Sequence, residues 1–225
     1  MNKTISKLQF ITDSDNINIL TSTVECACRA GVDWIQFRLK NGPAEKMVIL
    51  ACEIKKICDR YCAKLIINDS VELASVVGSN GVHLGKQDMD VSNARKILGN
   101  KFIIGGTANT FEDIIKLYCK GVDYIGLGPL RLTNTKRNLS PVLGFDGYEN
   151  IINKCIQNNI NIPIIAIGGI VPNDVTKLLK IGVYGISVSS AIGYSKDIVS
   201  SAREFLELTE NHYNHKIISK ISCQD

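Results

Sequence analysis

The sequence has no Cys-x-x-Cys pair, no Gly-x-Gly-x-x-Gly after its first strand-like run, and no apolar stretch near the roughly 18 residues of a membrane helix. Each absence removes a class of protein. The closest cysteine spacings, Cys26-x-Cys28 and Cys58-x3-Cys62, fall inside helix-like segments, so the 8 cysteines read as small buried hydrophobes rather than zinc ligands or a disulfide framework. The run Ile162 to Val171 is interrupted by Pro163, Gly168 and Gly169, and the N-terminal apolar core, Leu8 to Ile11, is too short for a signal peptide. A cytoplasmic protein without membrane partners is expected. Charge of one sign is also missing in any quantity: the net charge is +4 and the basic residues are dispersed, which gives no support to nucleic-acid binding and leaves anionic small molecules compatible.

What is present is a repeated phrase. Ala30-Gly31-Val32-Asp33-Trp34-Ile35, Asn80-Gly81-Val82-His83-Leu84, Lys120-Gly121-Val122-Asp123-Tyr124-Ile125 and Ile181-Gly182-Val183-Tyr184-Gly185-Ile186 each read as a helix ending at a left-handed Gly cap, followed by a strand. Between them lie further runs rich in branched residues, Leu8 to Thr12, Lys64 to Asn68, Phe102 to Gly106 and Pro163 to Ile167. Amphipathic segments fill the gaps: Ala44 to Tyr61, Phe111 to Lys120, Tyr148 to Asn158, Asn173 to Ile181 and Asp197 to Glu210. Strands alternating with helices require parallel pairing, and eight such units in 225 residues fit a closed α/β barrel, a (β/α)8 TIM barrel of one domain. An open doubly wound sheet is the rival architecture. Residues 1–210 are assigned to the barrel. Residues 211–225 have no helix-period pattern and read as a surface tail, in which His212-x2-His215 is a solvated pair or a metal site.

In such a barrel chemistry belongs at the C-terminal strand ends. Strand two, Trp34 to Phe37, runs into Arg38-Leu39-Lys40, where alternation puts the two cations on one face. Strand three ends in Asn68-Asp69, and strand four carries His83 and leads to Asp88. Strand five leads to Thr107-Ala108-Asn109, and strand six to Gly128-Pro129 and a loop with Thr133-Asn134-Thr135-Lys136. Strands seven and eight end in Gly168-Gly169 and Ser189-Ser190, where barrels hold a monophosphate on backbone N–H groups. The ends of neighbouring strands lie about 5 Å apart, so Asp69 and Asp88 invite a divalent cation. Beside Arg38, Lys40 and Lys136, two carboxylates suit Mg²⁺ carrying a diphosphate. Structural alternatives stand beside these readings: Asp69 as a helix N-cap, Gly168-Gly169 as turn chemistry, Arg38 and Lys40 as paired rim charges, and His83 as an interior residue.

Together these motifs resemble the thiamine phosphate synthase family over nearly the whole barrel, through Gln36-Phe37-Arg38-Leu39-Lys40, Ile67-Asn68-Asp69, Gly81-Val82-His83-Leu84-Gly85 with Asp88, Tyr124 to Pro129, Thr133 to Lys136, Ile167 to Ile170 and Val188 to Ile192. The resemblance implies that Gln36, Phe37, Arg38, Leu39, Lys40, Asn68, Thr107 and Lys136 contact hydroxymethylpyrimidine diphosphate, with Arg38, Lys40 and Lys136 in catalytic roles. It implies that Asp69 and Asp88 hold Mg²⁺, and that Thr133, Asn134, Thr135, Gly169, Ser189 and Ser190 hold a thiazole phosphate. The implied reaction is dissociative: pyrophosphate leaves and the thiazole nitrogen captures a carbocation-like pyrimidine. The chain departs from the family pattern at Thr107-Ala108-Asn109, usually Ser-x-His, and at Lys86-Gln87, usually Gln-Glu. A thiazole tautomerase-like enzyme and a non-catalytic thiamine-precursor binder are the alternatives. A homo-oligomer is compatible with all three.

Overall fold

A computed structural model describes residues 3–39, 42–132 and 141–221, with side chains up to 210. The strands are β1 (Leu8–Ile11), β2 (Trp34–Phe37), β3 (Lys64–Asn68), β4 (Gly81–Leu84), β5 (Ile103–Ala108), β6 (Tyr124–Leu127), β7 (Ile164–Ile167) and β8 (Gly185–Val188). The helices that follow them are α1 (Ile17–Ala30), α2 (Ala44–Arg60), α3 (Val71–Val77), α4 (Val91–Leu98), α5 (Phe111–Cys119), α6 (Gly144–Gln157) and α7 (Pro172–Ile181). After β8 come a four-residue helix α8 (Ser190–Gly193) and the long α9 (Ile198–Ile221). The strands pair in chain order, and β1 closes on β8 through Leu8–Ile186, Gln9–Ser187 and Phe10–Val188. The open-sheet alternative is thereby excluded.

Alternation along each strand divides the core in two. Outward-facing residues such as Phe10, Ile35, Leu65, Val82 and Ile186 pack with the helices in one continuous cluster. Inward-facing Trp34, Ile66, Ile103, Tyr124 and Ile165, with Ile5, plug the N-terminal half of the barrel. Large rings fit in this narrow interior because glycines face them. Gly105 lies against the Tyr124 ring, and a Cβ on Gly126 would stand 3.0 Å from His83 Cε1. Beneath the plug, Asp123 accepts from Lys3 and Arg95 and from the Ile104 N–H, so charges at the N-terminal end are joined in pairs away from the mouth.

Two expectations are corrected. Gly31 and Gly182 are left-handed helix caps, and Gly121, also at positive φ, directly follows α5's cap residue Lys120, but Gly81 is the first residue of β4. α3 already ends at Val77, and Gly78 caps it at φ +62. Gly81 instead answers a packing demand, since a Cβ there would run into Ile103. The last helix also continues past Glu210 to Ile221, because 211–221 contains neither Pro nor Gly to break the backbone ladder. Among the described residues no helix is long and apolar enough to cross a membrane.

The glycine gap beneath Tyr124 gives a direct test. Gly105→Ala overpacks the plug and is expected to cost about 2 kcal/mol, lowering Tm by roughly 4–8 °C in a thermal melt. Ile115→Ala, on an exposed face of α5, is expected to leave Tm within about 2 °C of the parent.

Candidate active site

A buried polar belt crosses the barrel just above the plug. Ser187 Oγ donates to Gln9 Oε1 at 2.6 Å, Gln36 Nε2 donates to the same oxygen at 3.1 Å, and Gln9 Nε2 donates to the Tyr124 hydroxyl at 3.5 Å. The Tyr124 oxygen lies 3.0 Å from His83 Nδ1, and His83 Nε2 lies 2.9 Å from Thr107 Oγ1. Burial holds the Tyr124 hydroxyl far above its ordinary pKa, so it keeps its proton. The His83 ring thus joins the Tyr124 and Thr107 hydroxyls, one nitrogen to each. Thr107 and His83 both line the cavity.

The cavity opens above this belt at the C-terminal rim, lined by Gln36, Arg38, Asn68, Asp69, His83 and Thr107 on one side and by Gly168, Gly169, Ser189 and Ser190 on the other. Sequence-predicted residues from six strand ends therefore meet at one place. Arg38 is largely buried, with Asp13 3.7 Å away. Burial pulls its pKa down, and Asp13 and Asp69 pull it back up. Phe37 is in the core facing the helices and Leu39 packs against that core, so neither side chain lines the cavity. Lys40, Thr133, Asn134, Thr135 and Lys136 lie outside the described residues.

The carboxylate pair can be weighed against capping. Ser70, not Asp69, caps α3, its Oγ accepting from the Leu73 N–H at 3.1 Å, and Asp90, not Asp88, caps α4. Asp69 takes φ +68 while its N–H donates to His83 O at 2.8 Å, extending the β3–β4 ladder one residue into the rim. Aspartate tolerates this left-handed conformation better than most residues. Asp88 is exposed and is not among the cavity-lining residues; its Oδ2 accepts from the N–H of Gly85, which lines the cavity, at 2.6 Å. Among the described residues there is no cluster of three or more potential metal-ligating His, Cys, Asp or Glu side chains. A donor set of two carboxylates does not make a closed protein cage; it suits Mg²⁺ that completes its shell with water and phosphate oxygens.

Both departures from the family pattern have local explanations. The Lys86 ammonium pairs with Asp113 at 2.6 Å rather than with the carboxylates beside it. Asp113 also accepts from the Asn109 and Thr110 N–H groups as part of the α5 capping box. Although burial raises its pKa, these partners bring Asp113 below the usual carboxylate value. Asn109 Nδ2 donates to Gly128 O, so the rim loops after β4, β5 and β6 are tied in sequence.

Sequence reasoning missed Gln9, Tyr124, Ser187, Arg131 and Asp174. A Gln in Leu8-Gln9-Phe10-Ile11 and a Ser in Gly185-Ile186-Ser187-Val188 interrupt runs buried on both faces, and that interruption was the available signal. Arg131 forms a two-pronged pair with buried Asp174, Nη1 to Oδ2 at 2.5 Å and Nη2 to Oδ1 at 2.8 Å. Tyr148, below them, bridges the ends of β6 and β7 by donating to Leu127 O and accepting from the Ile167 N–H at 3.2 Å.

The pattern of the thiamine monophosphate synthase family matches residues 8–192. The chain is 44% identical over 201 residues to a thiamine-phosphate synthase of Bacteroides thetaiotaomicron, covering 89% of this chain and 96% of that one. It is 47% identical over 192 residues to a thiamine-phosphate synthase of Flavobacterium johnsoniae, covering 85% and 91%. Among solved structures, a thiamine phosphate pyrophosphorylase from Pyrococcus furiosus superposes with a TM-score of 0.79 at 30% identity, covering 92% of this chain and 96% of that one.

The belt predicts the outcome of a single-atom deletion. Tyr124→Phe removes the oxygen shared by Gln9 and His83 while keeping the ring. It is expected to cost about 1–3 kcal/mol of unfolding free energy in a urea titration, from buried polar groups that lose a partner.

Proposed function

The chain belongs to the thiamine monophosphate synthase family and is a transferase, and from that premise we propose that it joins hydroxymethylpyrimidine diphosphate to a thiazole phosphate, releasing pyrophosphate and thiamine phosphate, and CO2 as well where the thiazole carries a carboxyl group. The observation that carries the reading is the meeting of two anion-suited clusters over one polar floor: Arg38, Asn68 and Asp69 on the β2–β3 side, and Gly168, Gly169, Ser189 and Ser190 on the β7–β8 side. One substrate with a diphosphate and another with a monophosphate match that division.

On this reading Asp69 and Asp88 hold Mg²⁺, which when bound supplies positive charge to the departing pyrophosphate. Arg38, Lys40 and Lys136 add cationic charge where the leaving group's charge grows. Gln36, Asn68 and Thr107, with backbone groups of Phe37 and Leu39, orient the pyrimidine. Thr133, Asn134, Thr135, Gly169, Ser189 and Ser190 hold the thiazole phosphate so that its ring nitrogen faces the methylene carbon as the C–O bond breaks. Capture forms the C–N bond, and the electrons of the broken bond leave with pyrophosphate. No protein nucleophile is required, and the rate gain comes from charge placement and orientation. The tautomerase alternative calls for a titrating side chain near the β5 rim, and the Asn109 amide does not titrate. A cytoplasmic setting goes with this reading.

A pyrophosphate-release assay with and without the thiazole phosphate tests the proposal. Release that depends on both substrates and on Mg²⁺ supports it; tight binding of either substrate without product supports the non-catalytic binder instead. Asp69→Ala and Asp88→Ala are each expected to reduce turnover at least about 100-fold. Lys136→Ala is expected to raise KM for the diphosphate substrate. Wild-type rates and Mg²⁺ dependence in both Asp variants would overturn the metal assignment.

A further inference from the structure

Asp174 is 5% exposed, at the third position of α7, and its charge is met mainly by one residue from a different rim loop. Burial pushes its pKa up, but the hydrogen bonds from Arg131 and the Val171 N–H bring it below the ordinary value, so the pair is ionised at neutral pH. The Arg131 guanidinium grips Asp174 with both terminal nitrogens, and Nη1 also donates to Gly169 O at 2.5 Å. The Arg131 backbone N–H donates to Gly168 O at 3.2 Å, and the neighbouring Leu130 N–H donates to Ile167 O at 2.9 Å. Both carbonyls of the Gly168–Gly169 turn are thus taken by one residue.

Planarity of the peptide unit gives this a consequence. In a trans peptide the N–H points opposite the C=O, so fixing Gly168 O and Gly169 O on the Arg131 side turns the N–H groups of Gly169 and Ile170 the other way. Gly169 and Ile170 both line the cavity. The turn itself needs glycine at its first position: Gly168 has φ +102, and a Cβ there would run into Pro129. A turn so free of side-chain constraint has to be held by something else.

We propose that Arg131 and Asp174 are a positioning pair for the acceptor substrate, with Asp174 fixing the guanidinium and the guanidinium fixing the Gly168–Gly169 turn so that its N–H groups face the phosphate. The identity of that phosphate rests on the synthase reading above. Arg131 is not the phosphate's counter-charge here, because Asp174 neutralises it; it acts through the turn.

Asp174→Asn separates the two roles. It keeps an oxygen for the Val171 N–H, loses the ionic two-pronged grip, and removes a negative charge near the anion site. Simple electrostatics predicts tighter phosphate binding, whereas positioning predicts weaker binding, by about tenfold. Calorimetric titration with inorganic phosphate and with the thiazole phosphate reads this directly. In the pyrophosphate-release assay KM for the thiazole phosphate is expected to rise about tenfold, with kcat and KM for the diphosphate substrate within about twofold of the parent. Arg131→Met should match Asp174→Asn, and Arg131→Lys should restore part of the affinity. Unchanged or tighter phosphate binding in Asp174→Asn overturns the proposal, as does an equal loss of both substrates, which marks general destabilisation. A parent protein that releases no pyrophosphate but binds phosphate in an Asp174-dependent way overturns the synthase reading and leaves the pair standing. A parent that binds neither phosphate ligand overturns both.

Discussion

The parallel pairing of β1 with β8 closes the sheet, and the mouth depends on that closure. With Gln9 opposite Ser187 and Phe10 opposite Val188, all the strands end on one ring, and residues scattered from position 11 to position 190 come to line one cavity. The same closure creates a narrow interior in which each side chain must fit its neighbours. The apolar plug fills the lower half and excludes water from beneath the belt. The belt in turn gives the cavity a floor of hydrogen-bonded polar groups, Gln9, Gln36, Ser187, Tyr124 and His83.

Above this floor the rim loops are tied in pairs. Lys86–Asp113 and Asn109–Gly128 connect the loops after β4, β5 and β6, while Arg131 connects the β6 loop to the β7 turn and to α7. These ties lie where positioning matters more than reactivity. In the proposed reaction no protein atom forms a bond to substrate, so the protein's task is to hold two anions and two rings at fixed separation. On the proposed reading the anions meet backbone N–H groups on the β7–β8 side, where the Arg131 tie holds the turn, and cationic side chains on the β2 side.

Much of the fold was legible because barrel strands are buried on both faces and read as short apolar runs between glycine and helix. Lys64 to Asn68 and Trp34 to Phe37 match their strands at both ends, whereas β5 continues past Gly106 because Thr107 and Ala108 find partners in Gly126 and Leu127. The rim residues Arg38, Asn68, Asp69, Thr107, Gly169, Ser189 and Ser190 were legible for a related reason: a polar residue directly after an apolar strand has one place to go. The belt was not, because Gln9 is satisfied only by groups 27, 115 and 178 positions away. Arg131, between two leucines and 43 positions from Asp174, looks like any loop cation until the barrel brings them together. For Asp69 the structure removed an alternative, since a helix cap stood beside the metal-ligand reading until Ser70 was seen in the capping role.

The central claim is that the mouth holds two separate anions, a metal-bound pyrophosphate on the side of β2, β3 and β4 and a monophosphate on the β7–β8 side. A crystal structure of the protein with Mn²⁺, pyrophosphate and the thiazole phosphate, using the anomalous signal of the manganese, tests it most directly. The account predicts manganese ligated by Asp69 and Asp88 with pyrophosphate oxygens completing its shell, and the thiazole phosphate on the Gly168–Gly169 turn and Ser189–Ser190. Manganese bound elsewhere, or both anions competing for one side of the mouth, would contradict it.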